Sequence, residues 1–182
     1  DEEAVDVLRH FVEWKCRLMP YLYQMGEEAH TKGWPVLRAM LLEFPADPTS
    51  YYLDRQYMLG SNLLVAPVFD ASGDVMVYLP KGRWTHLFSG ETVEGGQWRK
   101  EHHGFLSLPL YIRPNTVLPL GADKERPDYE FTKDTTYYLP VLEDGKTAEA
   151  TVTSHDRSHA VTIRVARSDK QFTVSCEGLL DA

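Results

Sequence analysis

Along the first thirty residues apolar side chains recur at helical intervals. Val5, Leu8, Val12, Met19 and Leu22 lie three, four or seven positions apart, and Phe11, Trp14, Leu18 and Tyr21 trace a second stripe. The spacing predicts a helix over residues 4–32. It is apolar over so much of its circumference that it should sit between other elements. Asp1, Glu2, Glu3 and Asp6 place carboxylates at its positive N-terminal end. Pro20 has no amide hydrogen and crowds the carbonyl of Cys16, which predicts a kink, and Gly33 predicts the stop.

Residues 34–45 are apolar without clean alternation, as in strands of a parallel sheet covered on both faces. Asp47-Pro48-Thr49-Ser50 then reads as a turn and cap before a second helix over residues 51–59, closed by Gly60. Helix, buried strand and helix are the grammar of an α/β barrel, of which about one and a half units are present and whose strand lacks partners. From Asn62 the texture changes to short strand candidates at 63–68, 75–80, 84–88, 97–101, 109–112 and 116–120. Ser72-Gly73, Lys81-Gly82, Ser89-Gly90 and Gly95-Gly96 punctuate them. That rhythm suggests an antiparallel β-sandwich. Residues 121–127 are polar and charged, suited to a linker. Beyond them, 135–142 and 146–153 flank Asp144-Gly145, a hairpin signal, and 159–166 and 171–176 form a second pair. In that pair Val161, Ile163 and Val165, and Phe172, Val174 and Cys176, alternate with polar residues, so one face should be buried and one wet. The expectation is an α+β chain, mainly β, in three parts: barrel end (1–61), proximal β-sandwich (62–121) and start of a distal β domain (122–182).

Composition narrows the function classes. The chain has 182 residues, too few for a whole (β/α)₈ barrel of about 250. Its formal net charge is −8 and it has no basic block, which argues against nucleic acid and anionic membrane surfaces. No apolar stretch approaches the roughly 20 residues of a membrane span. Cys16 and Cys176 lie at opposite ends and make no metal or disulfide framework, which fits a reducing cytoplasm. The chain opens without an initiator Met and stops just past a strand-like segment, so a piece of a longer polypeptide is expected.

Few residues invite a chemical reading. There is no serine-hydrolase signature, phosphate loop, HExxH or CxxC. Glu43 and Asp47 fall at the end and exit of the expected barrel strand, where active sites lie. Equally, Glu43 could pair with an arginine and Asp47 could serve the turn. Asp54 and Arg55 are adjacent and point to different sides of the expected helix, which suits a salt bridge from one of them to the body of a larger domain better than a catalytic role. His102-His103 beside Glu101 suggests a metal, yet neighbours on a strand point to opposite faces, so no metal is expected. Trp84, Trp98, Tyr78 and Tyr111 could present an aromatic platform to a sugar ring or simply fill the core. Cys16 reads as inert packing.

Several motifs together resemble a known family. Arg38-Ala39-Met40-Leu41-Leu42-Glu43-Phe44-Pro45, Tyr52-Leu53-Asp54-Arg55-Gln56-Tyr57-Met58-Leu59-Gly60 and Leu64-Val65-Ala66-Pro67-Val68 are similar to the family 31 glycoside hydrolases, specifically the bacterial α-xylosidase branch. Lys15-Cys16-Arg17-Leu18-Met19-Pro20-Tyr21, Tyr78-Leu79-Pro80-Lys81-Gly82-Arg83-Trp84 and His103-Gly104-Phe105-Leu106-Ser107 extend the likeness, which runs from about Val5 to Tyr129 in the same order. The resemblance implies the tail of a catalytic barrel followed by proximal and distal β domains. It implies a retaining α-glycosidase in which one aspartate attacks the anomeric carbon and a second carboxyl is acid, then base. Both family motifs lie upstream of the matched region, so no catalytic residue carries over and the chain alone is expected to be inactive.

The leading expectation is therefore the structural C-terminal part of a cytoplasmic α-glycosidase that removes terminal α-xylosides from α-linked oligosaccharides. No cofactor is implied. Glu43 and Phe44 are the substrate-proximal candidates, and assembly as a homo-oligomer is expected because the first helix has more apolar surface than a sandwich covers. The alternatives are a carbohydrate-binding sandwich with Trp84 or Trp98 as platform, and a subunit-assembly module.

Overall fold

The computed structural model describes residues 2–178. The opening segment is two helices, α1 (Glu2–Arg17) and α2 (Met19–Lys32), rather than one kinked helix. The break has a local cause. Pro20 cannot donate to the Cys16 carbonyl, and that oxygen accepts instead from the Tyr129 hydroxyl at 2.8 Å. The Arg17 carbonyl likewise accepts from the Gly121 amide at 2.7 Å. The two carbonyls at the helix break are thus satisfied by a distant part of the chain. Gly33, with φ of 75°, caps α2 as expected.

The expected parallel strand is only β1 (Leu37–Ala39), followed by a single helical turn, α3 (Met40–Glu43). It is not an orphan. β1 pairs antiparallel with β2 (Tyr57–Leu59), which occupies the place of the expected second helix; only a 3₁₀ turn forms before it, over Pro48–Tyr52. Both differences have one root: short apolar runs carry no periodicity that separates a buried strand from a helix or an edge strand. Tertiary contacts decide here. The Gln56 side chain donates to the Tyr78 carbonyl and accepts from the Tyr78 amide, both at 2.8 Å, holding the chain extended into β2. Gly60 then turns into β3 with φ of 63°, and a Cβ there would run into Met25 and Tyr21.

The further strands are β3 (Leu63–Val65), β4 (Asp74–Leu79), β5 (Arg83–His86), β6 (Thr92–Glu94), β7 (Gln97–His102), β8 (Leu110–Ile112) and β9 (Leu118–Leu120). β6 was hidden between two glycine turns. Six strands form one sheet in the order β1-β2-β3-β8-β5-β6, and β4 pairs with β7 as a separate two-stranded layer. Alternation through the central strands splits the core in two. Leu63, Val65, Leu110 and Ile112 face α2, packing on Leu18, Tyr21 and Met25. Leu64, Ala66 and Tyr111 face the other way, onto Val77, Leu79 and Trp84. Double burial thus falls on β3 and β8, in an antiparallel sheet, rather than on β1.

The last part holds β10 (Thr136–Tyr138), β11 (Thr147–Thr153), β12 (Ala160–Ser168) and β13 (Gln171–Glu177). The hairpin expected around Asp144-Gly145 does not form. β10 pairs with β9, and β11 pairs with β12, while the Asp144 carboxylate and the Gly145 amide bond to the β12–β13 turn. β12 and β13 pair as read, with Val161 and Val165 buried, but Phe172 and Val174 on β13 are exposed. Within the described residues, no second layer covers β13. The architecture is α+β and mainly β. Among the described residues, no helix is long and apolar enough to cross a membrane.

Candidate functional site

Glu43 closes α3 and is held from two sides. Its Oε1 takes Nη1 of Arg38 and its Oε2 takes Nη1 of Arg113, each at 2.7 Å. Arg38 projects from the inward position of β1 and is 4% exposed. It also donates to the Glu28 carboxylate at 2.8 Å and the Pro35 carbonyl at 2.9 Å, and Lys32 completes the chain onto Glu28 at 3.0 Å. Burial alone would raise the Glu28 pKa, but the hydrogen bonds from Lys32 and Arg38 outweigh it and hold the carboxyl below its usual range. Burial likewise opposes charge on Arg38, and Glu43 and Glu28 more than offset it. The Arg113 guanidinium lies 4.6 Å over the Phe44 ring, and Phe44 packs against Trp84 at 6.1 Å. The network ties α2, α3 and β1 to the end of β8.

These contacts set what Glu43 can do chemically. Both its oxygens accept charge-assisted bonds, so it has no proton to give and no free oxygen for attack. Asp47 is committed too: Oδ1 accepts from the Thr49 amide at 3.0 Å and Oδ2 from the Tyr78 hydroxyl at 2.8 Å. Glu43, Phe44, Asp47, Tyr78 and Lys81 line an open cleft of 460 Å³. The two expected substrate-proximal residues are thus together, but as an ion-pair clamp with an aromatic lid.

The tryptophans part company. Trp84 is 1% exposed and its indole N–H donates to the Pro80 carbonyl at 2.7 Å, so it offers no face to a sugar. That corrects the platform reading for Trp84, whose strand position faces the inner layer. Trp98 is 50% exposed and lies across from Tyr78, with ring centroids 5.5 Å apart.

A second polar cluster joins β7 to β8. Glu101 accepts from the Tyr111 hydroxyl at 2.6 Å and Arg99 at 2.9 Å, and lies 3.0 Å from Nε2 of His103. His103 Nδ1 is 2.9 Å from the Ser107 hydroxyl. Serine on Nδ1 and acid on Nε2 is the reverse of a serine-hydrolase triad. Burial would raise the Glu101 pKa, and the hydrogen bonds from Tyr111, His103 and Arg99 outweigh it and lower it. Burial, then the Glu101 charge, pushes Tyr111 well above the ordinary phenol range. His102 turns instead to Asp74 at 3.1 Å. Asp54 and Arg55 form no ion pair among the described residues, and Cys16 is buried and free. The reading that Glu43 could pair with an arginine holds, although the sequence did not single out Arg38 or Arg113. Arg113 lies 70 residues from Glu43 and leaves no local signal, whereas Arg38, five residues away, and Arg99 and Glu101, two apart on one strand face, do leave one.

Residues 33–118 match the model of the glycosyl hydrolase family 31 C-terminal domain, and residues 130–182 match that of the α-xylosidase YicI C-terminal domain. The chain belongs to glycosyl hydrolase family 31. Among family 31 relatives, it is 46% identical over 135 residues to an α-xylosidase of Emericella nidulans, covering 70% of this chain and 17% of that protein. It is 34% identical over 183 residues to the α-xylosidase XylQ of Lactiplantibacillus pentosus, covering 98% of this chain and 24% of that protein. The family 31 dextranase of Flavobacterium johnsoniae superposes with a TM-score of 0.83 at 27% identity, over 94% of this chain and 22% of the dextranase. The chain thus spans about a quarter or less of these relatives.

Proposed function

We propose that this chain is the non-catalytic C-terminal part of a retaining α-glycosidase that removes terminal α-xylosides from oligosaccharides. The observation that carries the proposal is the match to α-xylosidases, up to 46% identical, in a chain spanning 17–24% of their length. Retention needs two carboxyl groups about 5–5.5 Å apart with free oxygens. The candidate carboxylates Glu43 and Asp47 are both engaged, which supports placing the catalytic aspartates outside this chain. The sequence placed the end of the barrel at residue 61. The family 31 C-terminal model begins at residue 33, and β1 and β2 belong to the six-stranded sheet, which supports a boundary at Gly33 instead. On that reading α1 and α2 are the barrel's closing helices and the rest braces them.

Val5, Leu8 and Val12 on α1 stay exposed, which supports their cover by the remainder of the polypeptide or by a second copy in a homo-oligomer. The two free cysteines support a cytoplasmic setting. Hydrolysis of an aryl α-xyloside tests the proposal: the full-length polypeptide turns it over and the 182-residue chain does not. A second reading, sugar binding, rests on the half-exposed Trp98 ring beside Tyr78. Xylo- or gluco-oligosaccharide binding by the chain, abolished by Trp98→Ala with the fold intact, would support it.

A further inference from the structure

Apart from the Glu43 clamp, three ligating side chains converge from two segments 25 residues apart. Glu130 comes from the irregular stretch before β10, and His155 and Asp156 from the turn between β11 and β12. One donor atom from each lies within 4.8 Å of the other two. We infer that Glu130, His155 and Asp156 form a binding site for a divalent transition-metal ion of the zinc class.

The chemistry of the donors picks the ion. Two carboxylates neutralise a 2+ charge, and an imidazole nitrogen suits zinc, cobalt or nickel better than calcium, which takes six to eight oxygens. The spacing is also suitable. An ion with bonds near 2.1 Å holds neighbouring ligand atoms about 3–3.4 Å apart and opposite ones about 4.2 Å apart. His155 Nδ1 is 3.2 Å from Glu130 Oε2, so this pair already has that separation, and an Asp156 oxygen lies within 4.8 Å of both.

The ligands are set by neighbours that are not themselves ligands. Thr132 donates its amide at 3.0 Å and its hydroxyl at 2.6 Å to Glu130 Oε1, leaving Oε2 toward His155. Ser154, fully buried, donates to Asp156 Oδ1 at 2.7 Å, and the Ser158 amide adds a bond at 2.9 Å. Binding the ion at His155 Nδ1 displaces the proton that this nitrogen shares with Glu130 Oε2. The Arg157 guanidinium is turned away onto Glu27 at 2.6 Å, and its Nε donates to the Tyr23 hydroxyl at 3.0 Å. Tyr23 also donates to the His155 carbonyl at 3.3 Å. An ion at this point would pin the tip of the three-stranded sheet to the 121–135 segment and to α2 at once.

The test is calorimetric titration of the chelator-treated full chain with zinc chloride, with cobalt chloride and calcium chloride in parallel. The expected result is one equivalent of zinc bound, cobalt competing and calcium not. His155→Phe, whose ring is half exposed and keeps its edge contact with Phe131, weakens binding at least tenfold, and His102→Phe leaves it unchanged. Zinc also shifts the His155 ring resonances of the unaltered chain by NMR, a readout independent of any variant folding. Failure of zinc to bind below millimolar concentration overturns the inference. So does zinc binding that persists undiminished in His155→Phe, or that leaves the His155 ring resonances of the unaltered chain unmoved.

Discussion

Replacing Glu43 by Gln separates a clamp from a substrate-facing carboxylate. The change keeps the side chain's shape and removes the anion between two guanidinium groups. In the native network three cations, Lys32, Arg38 and Arg113, meet two anions, Glu28 and Glu43; in the variant three cations share one. Removing one partner of a buried ion pair costs about 3–5 kcal/mol. Two features reduce that here. Arg113 is 29% exposed and regains water, and Arg38, though buried, keeps Glu28. The expected loss is therefore about 2–3 kcal/mol, and with a urea slope of about 2 kcal/mol/M the unfolding midpoint falls by about 1–1.5 M. Urea titration followed by tryptophan fluorescence reads it, because Trp84 is buried against Phe44 beside the clamp. On the clamp reading, which gives Glu43 no contact with substrate, kcat/KM of the full-length polypeptide on an aryl α-xyloside stays within about twofold. A midpoint shift below about 0.25 M, together with a large fall in kcat/KM, would refute the clamp and restore Glu43 to the substrate.

Three further outcomes follow from the packing. Trp84→Ala should cost about 3–5 kcal/mol in urea unfolding while Trp98→Ala costs under about 1 kcal/mol, because only the first empties the core. Gly121→Ala places a methyl on the Tyr129 hydroxyl, which bonds the Cys16 carbonyl at the helix break, and should lower Tm by about 4–10 °C in a calorimetric scan. Glu101 has a folded pKa below its unfolded value, so its contribution is complete above about pH 4.3 and is lost as pH falls through the folded value. Acid titration of stability should then fall more steeply for the native chain than for Glu101→Gln; parallel curves would contradict the assignment.

Elements with their own period were legible in the sequence: the two helical stripes, the Gly33 stop, and the alternating pair β12 and β13. The family was legible too, because its motifs keep their order over more than a hundred residues. What failed were the readings of short segments whose state is set by a distant strand. Residues 34–45 and 51–59 have no decisive period, and Arg38 on the inner face of β1 with Gln56 bonded to β4 makes them strands of an antiparallel sheet. The Asp144-Gly145 turn is real, with φ of 71° at the glycine, but local turn chemistry does not say which strands a turn will join. Of the site residues, Glu43 and Phe44 do lie together, whereas Arg113, which closes the clamp, comes from 70 residues away. Trp84 and Trp98 are alike by composition, and only the layer each strand faces separates a core side chain from an exposed one.

The central claim is that these domains support a catalytic barrel and carry no chemistry of their own. Turnover of p-nitrophenyl α-xyloside, measured side by side for the full-length polypeptide and for the 182-residue chain at equal molar concentration, tests it most directly. The account predicts saturable hydrolysis by the full-length protein and none above buffer by the chain. Saturable hydrolysis by the purified chain alone would place a nucleophile and an acid within these residues and contradict it.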